Sequence, residues 1–211
     1  MEILVCDDGT PKYYGRDLVK ETIEEVLNTG EFDTDVTITH HQWAHRSQAH
    51  VLNDGFALAR GDYIFNLNDD DQLMHDFLDS AVGWLEKEEN KEIGFLYSDY
   101  LFTYNWSEFA EATPKPEPWD PERLKVKQFC TVIGLLRSWV AKKCLFDIEL
   151  DHEEDWDYLL RISKVTKAEY LPNLYSYVVF LHSGQKSVKD DVGVARCTEL
   201  IKKRIAEGYY D

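Results

Sequence analysis

Two short apolar runs in this chain each end at a cluster of carboxylates. Residues 2–6, Glu-Ile-Leu-Val-Cys, lead into Asp7-Asp8-Gly9-Thr10, and residues 62–67, Asp-Tyr-Ile-Phe-Asn-Leu, lead into Asn68-Asp69-Asp70-Asp71. An apolar run of strand length closed by Asp and Gly marks the carboxyl end of a strand, where open α/β sheets place their ligands. Helical periodicity follows each turn. Leu18, Val19, Ile23, Val26 and Leu27 share a face over 16–28, with Gly30 beyond, and Phe77, Leu78, Ala81, Trp84 and Leu85 do so over 74–89.

The alternation continues. Strand patterns fall at 35–40, 93–97, about 168–171 and 174–181, and helical ones at 47–59, 138–145, 154–164 and about 189–206. Strands alternating with helices predict an α/β domain with a central, mostly parallel sheet flanked by helices. A chain of 211 residues suits one such core, so 1–211 is expected to be a single domain. Pro114, Pro116, Pro118 and Pro121 crowd a stretch too short for a linker, which reads as a surface excursion.

Charge narrows the partners. A net charge of −17 repels the phosphates of nucleic acids and of anionic membranes, so neither is expected to bind. A smaller anionic ligand can bind where a cation reverses the local field. No apolar run is long enough to span a membrane. Cys6, Cys130, Cys144 and Cys197 are far apart with no CxxC spacing, which predicts reduced thiols in a soluble, cytoplasmic protein.

The run Asp69-Asp70-Asp71 carries the chemistry. Adjacent carboxylates repel unless solvent or a cation screens them. Mn²⁺ or Mg²⁺ takes oxygen ligands, commonly one or two carboxylates plus substrate phosphates. Such an ion would neutralise a diphosphate leaving group. Alone, an acidic turn is as readily a solvated helix cap.

Its neighbours add to it. Asp7-Asp8-Gly9-Thr10, Asn53-Asp54-Gly55 with Ala59-Arg60-Gly61-Asp62-Tyr63-Ile64, and Leu67-Asn68-Asp69-Asp70-Asp71 occur in that order. Phe146-Asp147, Glu154-Asp155-Trp156-Asp157 with Arg161, and Leu171-Pro172-Asn173-Leu174-Tyr175 with His182 and Ser187 follow. Together they resemble the family 2 glycosyltransferases of GT-A fold, over nearly the whole chain. Two features depart from the family pattern: a strand and helix usually precede the Asp-Asp-Gly turn, and Asn68 stands where the metal motif begins with Asp.

The resemblance implies a metal-dependent transfer of a hexosyl unit from a nucleotide-sugar donor, a UDP-sugar by preference, to a glycan or glycoprotein acceptor. Residues 1–100 would bind the donor, and 101–211 would bind the acceptor and carry the catalysis. Asp7, Asp8 and Gly9 would hold the nucleobase and ribose, with Arg46 at the diphosphate, Asn53 shaping the donor loop, and Asn68 and Asp69 near the ribose. Asp70 is the favoured metal ligand, whereas a strict D-x-D reading selects Asp69 and Asp71; His182 is a candidate third ligand. Asp155, with Glu154 beside it, is the candidate general base for an inverting attack on C1. Trp156 either stacks on a sugar or buries itself, and Lys186 is a weaker candidate at the phosphates. His40, His41, His45 and His50 lack zinc-ligand spacing and read as a polar loop edge. A sugar-phosphate nucleotidyltransferase is the alternative, although Gly9-Thr10-Pro11-Lys12 is a poor triphosphate loop. A non-catalytic nucleotide-sugar-binding module is another.

Overall fold

The computed structural model describes residues 1–30, 35–104, 111–112, 115–182 and 191–211. The chain opens with β1 (Glu2–Asp7), α1 (Leu18–Asn28) and β2 (Thr37–Gln42). β1 and β2 pair in parallel, so the strand-end residues Asp7 and Gln42 lie opposite each other. α2 (Gln48–Leu58) starts at Ser47, whose hydroxyl caps the His50 N–H, and buries Ala49, Val51 and Phe56.

A second sheet holds the remaining strands. They are β3 (Tyr63–Phe65), β4 (Gln72–Leu73), β5 (Ile93–Thr103), β6 (Glu111–Ala112), β7 (Leu135–Arg137) and β8 (Lys167–Phe180). Their order is β3-β7-β5-β8-β4, with β6 added to β5. Helices α3 (Phe77–Leu85), α4 (Pro121–Leu124), α5 (Ser138–Lys143), α6 (Glu154–Val165) and α7 (Asp191–Ala206) complete the domain. Among the described residues no helix is long and apolar enough to cross a membrane.

The α/β class is as expected, but the sheet is not one continuous parallel array. Among the described residues it is divided in two. The long ladders, β1–β2 and β5–β8, are parallel. The short pairings β3–β7, β5–β7, β4–β8 and β5–β6 are antiparallel. Two of these pairings involve β7, a three-residue strand that no periodicity announces, which slots between β3 and β5. Gly134 lets it enter: a Cβ there would sit 2.4 Å from the Leu96 carbonyl oxygen.

β8 joins two segments predicted as separate strands. Its register against β5 jumps from Ser98↔Leu171 to Asp99↔Tyr175, so the Pro172-Asn173 stretch is accommodated as a bulge. Buried Asp99 holds the bulge by accepting the Asn173 N–H at 2.8 Å and the Tyr170 hydroxyl.

Alternation along β5 divides the core. Phe95 and Tyr97 face the main cluster under α5, α6 and α7, whereas Leu96 faces a smaller cluster under α3 with Phe77, Ala81, Leu85 and Leu135. Trp156 is buried in the main cluster, with its indole N–H donated to the Leu124 carbonyl, which settles its role as core. Asp157, fully buried, accepts hydrogen bonds from Arg161, Arg204 and the Tyr210 hydroxyl. Asp147 pairs with the same two arginines, fastening α7 to α6. By contrast α1 buries no residue. Its predicted apolar face leaves Leu18 and Leu27 exposed.

Candidate functional site

The first cluster forms where β1 and β2 end. Asp7 is buried, with Oδ1 accepting the Thr10 N–H at 2.7 Å in an Asx turn and Oδ2 accepting Gln42 Nε2 at 2.8 Å. Burial alone would push its carboxyl up, but Thr10, Gln42 and the neighbouring His40 hold it below its ordinary value. Asp8 accepts the Arg46 backbone N–H at 2.8 Å and lies 2.9 Å from His45 Nδ1. Gly9 has φ +84°, and a Cβ there would come 2.6 Å from the His45 backbone nitrogen, so only glycine fits. Arg46 turns its guanidinium to Asp54 and lies 6.0 Å from the Trp43 ring.

His40, Gln42 and His45 therefore support the aspartates, a role the sequence reading missed. Only the parallel register of β1 and β2 brings them there, and nothing in a linear sequence states that register. Asn53 is held by the protein as well. Its amide both donates to the Phe146 carbonyl at 3.0 Å and accepts the Phe146 N–H at 2.8 Å. It ties α2 to the segment before α6, which leaves its amide oxygen and nitrogen committed to protein.

The second cluster is the acidic turn between β3 and β4. Asp71 points inward: Oδ1 accepts the Phe180 N–H at 3.3 Å and Oδ2 accepts Asn68 Nδ2 at 3.0 Å. Burial raises its pKa, and the charges of Asp70 and Asp69 push the same way, against Asn68 and the Phe180 N–H. Asp70 points the other way, its Oδ2 2.9 Å from His182 Nε2 just past the end of β8. Both side chains are about one-third exposed, at 37% and 36%.

These positions test the fit of a divalent cation. Among the described residues no three His, Cys, Asp or Glu side chains form a group able to hold one unaided. The expected set of Asp69, Asp70, Asp71 and His182 is thus divided, because Asp71 is turned into the protein by Asn68 and Phe180. Asp70 and His182 remain as a facing pair. Adjacent ligands of an octahedral ion with bonds of about 2.1 Å lie about 3.0 Å apart. The 2.9 Å between Asp70 and His182 is a hydrogen bond, whose place a cation bound by both side chains would take. The pair fits a cation that completes its shell with substrate phosphates, as Mg²⁺ and Mn²⁺ commonly do.

The third part is the start of α6. Glu153 precedes it in a left-handed conformation with φ 58°, and Glu154, Asp155 and Asp157 occupy the first turn. Glu154 and Asp157 are buried, whereas Asp155 is half-buried. A helix N-terminus favours negative charge, which suits a carboxylate held there. Tyr177 of β8 is paired with Leu73 of β4, just past the acidic turn. Burial raises its phenol pKa, and the charges of Asp71 and Asp155 both add to the rise. Lys186 and Ser187 lie outside the described residues.

Comparison with known proteins follows the same lines. Residues 1–138 match the model of the family described as glycosyl transferase family 2. The putative colanic acid biosynthesis glycosyl transferase WcaA of Escherichia coli (strain K12) is 30% identical over 166 residues, covering 76% of this chain and 55% of that protein. The chain thus spans about half the length of this curated relative. S. aureus TarS 1-349, in complex with UDP-GlcNAc, superposes with a TM-score of 0.69 over 95% of this chain and 56% of that one, at 14% identity. The mannosyltransferase PcManGT from Pyrobaculum calidifontis, in complex with GDP-Man and Mn²⁺, gives a TM-score of 0.56 over 87% and 48%, at 15% identity. At such identities the two structures speak to fold, and the fold is the expected GT-A domain. With a family match across well over half its length, the chain belongs to glycosyl transferase family 2.

Proposed function

We propose that this chain transfers a hexosyl unit from a nucleoside diphosphate sugar, a UDP-sugar by preference, to a hydroxyl of a glycan or glycoprotein acceptor. The carrying observation is the acidic turn whose Asp70 faces His182 at the end of β8, with Asp155 in the first turn of α6. Residues 1–100 form the donor half in this reading and 101–211 the acceptor and catalytic half. Family membership supports the reaction class, and the nucleotide sugars bound by TarS and PcManGT support the donor class.

Asp8 and Arg46 face the nucleoside and diphosphate, with Asp7 and Gly9 shaping the turn beneath them. Asn68 and Asp69 stand beside the ribose. Asp70 and His182 would hold Mn²⁺ or Mg²⁺, which would supply positive charge to the departing diphosphate. Asp155 accepts the proton of the attacking hydroxyl while the oxygen bonds to C1. The bond from C1 to the diphosphate oxygen breaks, and UDP leaves with the electron pair, inverting the configuration at C1. Glu154, buried beside Asp155, steadies the first turn of α6.

The test measures UDP release from UDP-sugars with Mn²⁺, and UDP binding by calorimetry. Asp70→Ala is expected to abolish metal-dependent donor binding, whereas Asp155→Ala binds donor and loses transfer. Normal transfer by Asp155→Ala would remove the base assignment. Pyrophosphate release from UTP and a sugar phosphate would replace the reaction with nucleotidyl transfer.

A further inference from the structure

The six-stranded sheet carries a second feature at the end away from the acidic turn. β3 starts at Tyr63 and runs toward that turn, β5 starts at Ile93, and β7 pairs antiparallel to both. Tyr63, Ile93 and Arg137 therefore share one end of the sheet. A pocket of about 430 Å³ opens there, lined chiefly by Asp62, Tyr63, Glu86, Lys91, Arg137 and Trp139. That volume lies within the range of about 300–1,000 Å³ usual for small-molecule sites.

Arg137 fixes the frame. Its Nε donates to the Ile93 carbonyl at 2.9 Å, Nη1 to the Tyr63 hydroxyl at 2.9 Å and Nη2 to the Leu85 carbonyl at 2.7 Å. The guanidinium also lies 5.4 Å from the centre of the Tyr63 ring, and the Tyr63 hydroxyl donates to Glu86. Asp62 is held by its backbone, whose carbonyl accepts the Ser138 N–H at 2.8 Å. The start of β3, the end of α3 and the start of β5 thus meet on one side chain, so the shape is set before a ligand enters.

What these bonds leave unspent decides the ligand. A guanidinium has five N–H groups, and Arg137 uses three, one of them on each terminal nitrogen, which leaves a second N–H on both. Glu86 keeps a second carboxylate oxygen beyond the one bonded to Tyr63. Among the described residues the Asp62 carboxylate and the Trp139 indole N–H have no partner, and Trp139 is 48% exposed.

Charge sorts the candidates. Lys91 and Arg137 balance Asp62 and Glu86, so the lining is neutral in a chain that stands at −17. Both cations already face carboxylates, Lys91 at 2.5 Å from Glu88 and Arg137 at 4.0 Å from Glu86, so a phosphate meets no net attraction. Among the described residues no carboxylate group there is able to hold a metal ion. An apolar ligand would cover Asp62 and Glu86 without bonding to them. A neutral ring rich in hydroxyls meets every requirement. Its C–H face lies on the indole, its hydroxyls donate to the carboxylates, and its oxygens accept from the guanidinium.

Resting on the glycosyltransferase reading, we infer that this pocket holds a sugar unit of the acceptor glycan remote from the reacting hydroxyl. Trp139 is its stacking face, and Asp62, Glu86 and Arg137 are its hydroxyl contacts. A glycan gripped here raises the effective concentration of its other units around the same protein.

The experiment follows the Trp139 indole N–H by NMR in the full chain with nitrogen-labelled tryptophan, the signal being the one absent from Trp139→Phe. Maltose, cellobiose, lactose and chitobiose are the probes. At least one is expected to shift that signal, with a half-saturating concentration that rises about tenfold in Trp139→Ala and in Asp62→Asn. No shift with any of the four, or an unchanged affinity in either variant, overturns the assignment. A shift with inorganic phosphate alone would make the pocket an anion site and overturn it too. So would release of the bound disaccharide by UDP with Mn²⁺, because the pocket and the acidic turn lie at opposite ends of the sheet. Asp62→Asn is a conservative change at an exposed position, so a poorly folding tryptophan variant does not blunt the test. Wild type that binds UDP with Mn²⁺ but no disaccharide refutes the pocket and keeps the proposed function. Disaccharide binding without UDP binding does the reverse.

Discussion

The two sheets are anchored differently. The β1–α1–β2 unit is a parallel pair beside a helix with no buried residue, attached through polar links such as Arg60 to Glu2 and the neighbouring α2. The six-stranded sheet instead sits between two apolar clusters and is closed by the buried ionic network joining α6 to α7. The proposed donor side is thus a light frame of hydrogen-bonded aspartates, and the proposed catalytic side a packed block. A group that must meet a reacting atom gains most from rigid support, and Asp155 stands on the rigid side.

The comparison breaks most easily at Asp157. Asp157→Ala leaves Arg161 and Arg204 without their most buried carboxylate, and breaking such a pair costs about 3–5 kcal/mol. Urea unfolding measures it. A loss below about 1 kcal/mol would mean that the α6–α7 junction is no firmer than a surface contact.

Gly9→Ala comes next and strikes the lighter side. The left-handed backbone is expected to cost about 1–2 kcal/mol, and the crowding against His45 weakens UDP binding. Calorimetry and thermal melting read the two effects separately. Full UDP affinity in this variant would detach the Asp7–Gly9 turn from the donor.

How much of this was legible in the sequence follows the same division. Residue pattern gave β1, α2 and α6 to within a residue or two, because each joins an apolar period to a clear terminus. It gave α1 as well, but not its exposure, since amphipathicity states a preference and not a partner. β7 was invisible because three residues carry no period. Sequence favoured Asp70 among the three adjacent aspartates, against a D-x-D choice of Asp69 and Asp71, but could not say that Phe180 and Asn68 turn Asp71 inward and leave Asp70 outside. Those partners lie on another strand and on the preceding residues of the turn, so local spacing could not assign the ligand.

Acid sharpens the comparison further. Burial pushes the Asp147 carboxyl up, but the Glu149 N–H, Arg204 and Arg161 hold it below the ordinary 3.8, as Thr10, Gln42 and His40 do for Asp7. Their stabilisation is therefore present above 3.8 and lost as pH falls through the lower folded values. Asp71 has the opposite sign: its folded state favours the proton, an advantage lost as pH rises through its raised value. Acidification is expected to discharge Asp71 first, with the fold intact, and only below 3.8 to loosen both sheets. Circular dichroism beside UDP titration follows the two stages. Unfolding before the loss of UDP binding would contradict this order.

The smallest effect is expected on α1. Leu27→Ser removes an apolar side chain that is 48% exposed. Its stability change should stay within about 0.5 kcal/mol, as read by thermal melting. A larger loss would show that α1 is packed more firmly than its exposure states.

β8 carries its duties in series. Along its 14 residues it supplies the Asn173 bulge, the Tyr177 hydroxyl bonded to Thr131 and the Phe180 amide that braces Asp71, with His182 just beyond. Side chains on a strand alternate between faces, so a one-residue length change reverses everything downstream of it. The bulge at 171–175 already absorbs extra chain, and a further insertion there can be taken up before the working stretch begins. A deletion between Tyr177 and Phe180 cannot. It would leave Tyr177 in place while turning the brace of the acidic turn and His182 away together. Gain or loss of sequence in related chains should therefore collect at the bulge and avoid the last residues of this strand.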